Sequence, residues 1–460
     1  MNYKETIEYI HSRPKFSRVL GNKALLKLLG HMGDPQKELK CIHIAGTNGK
    51  GSTAVMTASA LMEAGYKTGL FTSPYLRRFN ERIRIDGDEI DDDELAQIAT
   101  YVRRVIEKND AAVSEFAFNT AVAFEYFRRK GADYVVLETG LGGRLDATNV
   151  IDAPEIVILT SIGLDHTQYL GDTIEKIAAE KCGIIKKNST VVVCPGQPVE
   201  ARSVIKRFCA DTGSKLIEAK EPCITDDGLR SGRGAEFEYD GESYRLSLRG
   251  GFQPYNAATV IEAARALSKR GADRITAETI KTGIEKAYLD GRFDLIRSDE
   301  YGDIIIDGAH NPPAKEILDA CDEMGLIVMD ENRRFETGEE FVANLRTLIK
   351  RDRNHPSVIF WSLFNEEPLQ NTELGARIFR RLKAVTRSLD DSRIITGAIN
   401  GNMQGAGMEM DVTGINYAID KISEMHAQNP AQPIIGSENN SAVTTRGCYK
   451  TDSDKHVLAG

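Results

Sequence analysis

The chain has 460 residues, 41% hydrophobic and 28% charged, with a formal net charge of −9. That length accommodates about three domains of roughly 150 residues, and the acidic balance argues against a general electrostatic grip on nucleic acid or an anionic membrane. No apolar run reaches the roughly 18–20 residues that cross a bilayer, the opening MNYKETIEYIHSRPKF lacks a signal peptide's apolar stretch, and 7 cysteines without CxxC pairs fit reduced thiols in the cytoplasm.

Strands and helices alternate through the first part. CIHIAG (41–46) reads as a short buried strand ending at a glycine-rich turn. The segment from Ser52 to about Ala64 reads as a helix stopped by Gly65. KTGLFT (67–72) is a second strand, and DDDELAQIATYVRRVIEK (91–108) is a helix whose first-turn acids complement its dipole. Another helix covers 114–130, and DYVVLET (133–139) and EIVILTS (155–161) are buried-type strands. This alternation implies a mainly parallel, doubly wound α/β sheet. EFEYDGESYRLSL (236–248) reads as a hairpin turning at Asp240-Gly241 that decorates the edge of this domain. DIIIDG (303–308) opens a second region with further strands at 326–331, 357–363, 393–397 and 432–438, and Asn-His-Pro (354–356) should end the helix before it.

HIAGTNGKGST (43–53) carries the strongest chemical signal. Gly46, Gly49 and Gly51 let the backbone curl so that the amides of Thr47, Asn48 and their neighbours point at a phosphate chain. The following helix presents its N-terminus to the same anion. Lys50 supplies a charge for the outer phosphates, and the Ser52 hydroxyl can ligate magnesium. The spacing is one residue short of the standard G-x-x-x-x-G-K-[ST] loop.

GTNGKGS resembles the loop of the Mur-ligase superfamily. TSPYLRRFNERIRIDG (72–87), LETGLGGRLDATNV (137–150), TSIGLDHTQYLGDTIEKIAAEKCGIIK (160–186), GGFQPYNAA (250–258), GRFD (291–294) and IIIDGAHNP (304–312) follow in the order of its folylpolyglutamate/dihydrofolate synthase branch. The resemblance covers residues 1 to about 312. It implies an ATP-dependent ligase that joins L-glutamate to dihydropteroate or a (tetrahydro)folate through an acyl phosphate, acting as a cytoplasmic monomer with ATP and Mg2+. Lys50 and the loop would hold ATP, with Asn256, Arg292, Asp307 and His310 at further nucleotide positions. Ser52 and Glu138 would hold one magnesium; Ser73, Glu138 and His166 would frame a second. Lys181 matches a lysine that is carbamylated in the family, although a lysine on a helix ordinarily lies on a solvated face. Phe116 and Phe118 are candidates for a pterin pocket or for plain core.

From about Ala309 the pattern changes. HNPPAKEILDACDEMGLIVMDENRRF (310–335), RDRNHPSVIFWSLFNEE (351–367) and QPIIGSENNSAVTTRGCY (432–449) resemble the barrel of glycoside hydrolase family 2. The resemblance implies Glu366 as acid/base and Glu438 as nucleophile of a retaining glycosidase. The expected organisation is therefore an ATP-binding Mur-ligase-type P-loop domain (1–295), the first strand of a ligase C-terminal domain (296–312), and an incomplete TIM barrel (313–460). The leading function is the ligase; a glycoside hydrolase fragment, or an ATP-binding module without catalysis, is the alternative.

Overall fold

The computed structural model describes residues 1–14, 22–75, 78–109, 112–165, 167–228, 234–289, 294–298, 302–306, 318–319, 321–322, 327–332, 335–400, 403–416 and 422–438. They fall into two compact units, Met1–Asp294 and Leu295–Gly460.

The first unit is built on an eight-stranded sheet. Its strands are β1 (Cys41–Ala45), β2 (Thr68–Phe71), β3 (Ile83–Ile85), β4 (Asp88–Glu89), β5 (Tyr134–Glu138), β6 (Ile156–Leu159), β7 (Thr190–Val193) and β8 (Lys215–Glu218), in the order β4-β3-β2-β5-β1-β6-β7-β8. All are parallel to their neighbours except β3 and β4. The central strands β1, β5 and β6 are buried along their whole length, as unbroken apolar runs require when both faces are covered. Period-2 alternation then sorts the side chains. Ile42, Ile44, Val136, Ile156 and Ile158 pack with the helices Lys50–Glu63, Gln253–Ser268 and Ala277–Lys286. On the other face Cys41, Phe71, Val135 and Leu137 pack with Lys23–His31, Asp92–Asn109 and Glu115–Lys130, and Ala45, Val157, Leu159 and Val191 pack with Ile174–Cys182 and Val199–Thr212. The chain leaves β1 toward β2 on one side and later builds β6 to β8 on the other. Such a reversal opens a crevice at the carboxyl ends of the strands.

The hairpin forms as expected, from Glu236–Tyr239 and Glu242–Arg245. Asp240 (φ 52°) and Gly241 (φ 81°) are both left-handed, as a two-residue primed turn demands. With Cys223–Asp226 the hairpin makes a separate three-stranded sheet, and Phe237, Tyr239 and Tyr244 join the helices covering one face of the main sheet.

Asp294–Ser298, which runs from the last residue of the first unit into the second, pairs with Gly302–Ile306 as a two-stranded sheet. A separate sheet holds Val328–Glu331, Val358–Asn365, Ile394–Ile399, Thr413–Asn416 and Ile434–Glu438, side by side in chain order and all parallel. Helices Glu339–Asp352 and Glu373–Arg387 contribute to a core with Trp361, Phe364, Phe379 and Ile395. The first helix stops at Asp352, ahead of Asn-His-Pro, as expected. Among the described strands this sheet has two edges, Val328–Glu331 and Ile434–Glu438. No helix among the described residues is long and apolar enough to cross a membrane.

Candidate active site

The loop after β1 lies at the crevice, and its helix starts at Lys50, two residues before the expected Ser52. Gly49 is left-handed (φ 83°), and a Cβ there would stand 2.3 Å from Asn256 Oδ1, so the loop fits under the helix Gln253–Ser268 only with glycine at this position. The loop amides divide. Thr47 and Asn48 donate their N–H groups to the Ser161 carbonyl at 2.7 and 3.2 Å, beside the end of β6. The expectation that all of these amides face a phosphate is therefore corrected: two of them anchor the loop to its neighbour. The amides of Lys50, Gly51 and Ser52 begin the helix, where no intrahelical acceptor exists, and they present the anion-binding end.

Two ammonium groups converge behind this loop. Lys50 Nζ donates to the carbonyls of Gly46 and Thr47, at 3.0 Å each. Lys181 Nζ donates to the same Gly46 carbonyl at 2.6 Å. Lys181 is 4% exposed, not solvated as a helical lysine ordinarily is. Its burial and then the Lys50 charge pull its ammonium down to about 7, against Asp165 and Asp146.

Glu138 ends β5, buried, and its Oε2 accepts the Ser73 N–H at 2.9 Å. Both of its carboxylate oxygens lie 3.8 Å from where a Gly51 Cβ would stand, so the acid reaches the start of the phosphate-loop helix. Ser52 is also buried, and its Oγ accepts from Gln253 Nε2 at 3.2 Å. Gln253 Oε1 in turn accepts from Asn256 Nδ2 at 3.1 Å. Lys50, Ser52, Glu138, Lys181 and Asn256 thus gather around one loop, with Ser73 bonded to Glu138. His166, Arg292, Asp307 and His310 lie outside the described residues.

A carboxylate and a hydroxyl beside a phosphate-binding helix end suit Mg2+, which keeps several waters. Among the described residues no group of three or more His, Cys, Asp or Glu forms a metal cage.

Sequence reasoning missed two supports of this site. Gln253 is fully buried and reaches Ser52 from 201 residues away in the chain. Asp146 receives the amides of Leu141 and Thr148 and the Thr148 hydroxyl, bracing the turn after Glu138. The aromatic pair separates: Phe118 is fully buried core beside Tyr9. Phe116 is half-buried over Gly140, whose Cβ would meet its ring at 2.7 Å, and it packs against the core beside Phe71.

In the second unit Glu366 follows Val358–Asn365 with φ 50°, and its Oε1 accepts from Asn416 Nδ2 at 3.0 Å. Asn416 also bonds Asn365 Oδ1 at 2.8 Å, a bridge that sequence reasoning did not foresee. Glu438 ends the strand Ile434–Glu438, in register with Asn416; its side chain lies outside the described residues.

Residues 44–264 match the Mur ligase middle domain. The chain is 39% identical over 326 residues to the dihydrofolate synthase/folylpolyglutamate synthase of Bacillus subtilis (strain 168), covering 69% of this chain and 75% of that one. It is 38% identical over 322 residues to the folylpolyglutamate synthase of Lacticaseibacillus casei, covering 68% and 74%. The chain belongs to the folylpolyglutamate/dihydrofolate synthase family. It is an ATP-dependent ligase. Solved synthases have the same mixed α/β architecture: the apo form of L. casei FPGS (TM-score 0.65, 28% identity) covers 95% of this chain and 97% of its own. An FPGS-AMPPCP-folate complex (0.64, 29%) covers 95% and 97%. E. coli FolC in complex with DHPP and ADP (0.64, 26%) covers 86% and 94%. These spans include the C-terminal α/β unit of the synthase, where residues 306–455 also match the glycosyl hydrolases family 2, TIM barrel domain.

Proposed function

We propose that the chain joins L-glutamate to dihydropteroate or a (tetrahydro)folate, with ATP phosphorylating the acceptor carboxylate first. The convergence of Lys50, Lys181 and Glu138 on one glycine-rich loop is the observation that carries this reading. The helix end at Lys50–Ser52 holds the outer phosphates. Lys50 releases the Gly46 and Thr47 carbonyls and turns its charge onto the phosphoryl group in transfer, neutralising what develops there. Glu138 and Ser52 would hold a magnesium ion, with Ser73 and His166 framing a second site; bound there, the metal supplies further charge neutralisation. Asn256, Arg292, Asp307 and His310 complete the nucleotide site in this reading. Gln253 holds the Ser52 hydroxyl, and Lys181, once carbamylated, offers an anion beside Lys50. The glutamate amine then attacks the acyl carbon, an amide forms and phosphate leaves.

Glutamate-dependent ADP release with dihydropteroate and with tetrahydrofolate tests this. Wild-type release, abolished in Lys50→Ala together with ATP binding, is the expected result; ATP binding untouched by Lys50→Ala would defeat it.

A second reading concerns the C-terminal unit. We infer that residues 296–312, which hold the strand Gly302–Ile306 and most of its partner rather than the single strand expected, open a ligase C-terminal domain, and that 313–460 are a fragment of family 2 glycosidase barrel with Glu366 and Glu438 as inherited carboxylates. The barrel-family match and the run of consecutive parallel strands favour it. On this reading ATP binding survives better than ligation. We also take the chain to act as a monomer in the cytoplasm, in keeping with the free cysteines among the described residues.

A further inference from the structure

Arg82 has no place in the site as drawn so far. It closes the short turn Phe79–Arg82 ahead of β3. Its carbonyl accepts the Thr72 N–H at 3.0 Å, and the next residue, Ser73, is bonded to Glu138. The guanidinium carbon lies 4.9 Å from the Tyr75 ring centre and 5.8 Å from that of Phe79. Its Nε is buried and makes no hydrogen bond among the described residues.

A cation in such a place costs stability unless something compensates it. The nearby acids are engaged elsewhere. Glu81 Oε1 takes the Arg78 N–H at 2.8 Å, Glu138 takes Ser73, and Glu115 lies 3.6 Å from His11 Nδ1. Burial holds the group below its ordinary value, more strongly than Tyr75 and the fields of Glu115, Glu138 and Glu81 favour its charge. The aromatic faces of Tyr75 and Phe79 give only part of the compensation. What remains is a forked, fixed-charge donor held by flat rings, in the neighbourhood of the carboxylate that ends β5. An anionic planar group matches that fork in geometry and charge.

We propose that Arg82 is the residue that receives the carboxylate of the acyl acceptor, the aromatic acid or folate tail that is to be phosphorylated, with Tyr75 and Phe79 flanking it. This rests on the ligase reading and adds to it a residue that selects an acid over its neutral counterpart. The ring pair would lie beside the acceptor's aromatic body, and the cation would hold the carboxylate near the phosphate loop.

The test compares equilibrium binding of pteroate and of its neutral carboxamide by wild-type chain, Arg82→Gln and Arg82→Lys, with ATP binding measured alongside. The wild type should prefer the acid. Arg82→Gln should lose acid affinity on the order of 10–100-fold, as expected for a charge-assisted bond, bind the carboxamide as before, and keep its ATP affinity. Arg82→Lys should retain part of the preference. Equal losses of acid, carboxamide and ATP in Arg82→Gln, with Arg82→Lys restoring all three, would show a structural strut and overturn the proposal. So would an unchanged preference in Arg82→Gln. A wild-type chain that binds ATP but neither pteroate nor tetrahydrofolate would instead overturn the ligase reading, and this assignment with it.

Discussion

Lys181 shows how far one buried side chain can be moved by its surroundings. Burial and the Lys50 charge bring its ammonium to about 7, so the neutral amine gains population as pH rises through that value. A neutral amine adds CO2 to give a carbamate anion and a proton. With 13C-bicarbonate, a carbamate resonance should grow between about pH 6 and pH 8 and be missing in Lys181→Met; no resonance at pH 8 would remove the carbamylation reading. Gln253 offers a second residue-scale test. Its amide N–H bonds Ser52 Oγ, and its carbonyl holds Asn256. Leucine at 253 keeps the volume and deletes both bonds. The Ser52 hydroxyl then loses its orientation, and Mg·ADP affinity should fall about 5-fold, the worth of one net hydrogen bond. Calorimetric titration with ADP alone, metal chelated, should show a smaller loss; equal losses would make Gln253 a plain packing residue.

At the scale of elements, the phosphate-loop helix is held from behind by the helix Ala277–Lys286. The two cross at Gly283, where a Cβ would stand 2.4 Å from Ala60 Cα, backbone against backbone. Gly283→Ala therefore forces the helices apart. It should destabilise the first unit by about 1–3 kcal/mol, read as a lower urea midpoint, with ATP affinity falling as the loop shifts. Much of this architecture was legible in the chain. Runs such as CIHIA and YVVLE are apolar without alternation, which marks parallel strands covered on both faces, and Asp240-Gly241 between alternating residues marks its own turn. The strand Cys223–Asp226 escaped notice because its side chains are mostly exposed and bring no periodic signal. The site divides in the same way. Gly49, Lys50 and Ser52 are adjacent in sequence and their chemistry follows from spacing. The Ser161 carbonyl that takes two loop amides, Gln253 behind Ser52 and Lys181 against Gly46 are contacts across more than 100 residues. Only the folded sheet brings them together.

For the whole molecule, the C-terminal sheet sets a limit on inherited chemistry. Glu366 and Glu438 sit at the ends of strands separated by two others. The sheet curves between them: Asn416, the register partner of Glu438, bonds the Glu366 carboxylate at 3.0 Å. Retaining hydrolysis also needs a closed barrel to hold the sugar between its two carboxylates, and the described strands leave two edges unpaired. Aryl glycosides should therefore release no nitrophenol above background; release that disappears in Glu438→Ala would refute this. The division into two units makes a further prediction. The four clusters of buried apolar residues each fall within one unit, and each unit can melt around its own core. The only tryptophan, Trp361, lies in the second core, so its fluorescence reports that unit alone. The phosphate loop lies in the first. Mg·ATP at about 100 times its dissociation constant adds about 2.7 kcal/mol to whichever unit holds it. In a calorimetric scan the first unit's transition should rise by about 5 °C or more, while the Trp361 transition should rise by less, since the second unit contributes only Asp307 and His310 to the proposed nucleotide site. A single transition, or equal shifts in both signals, would mean that the second unit grips the nucleotide as strongly as the first, and that ATP binding depends on the C-terminal segment as strongly as ligation does.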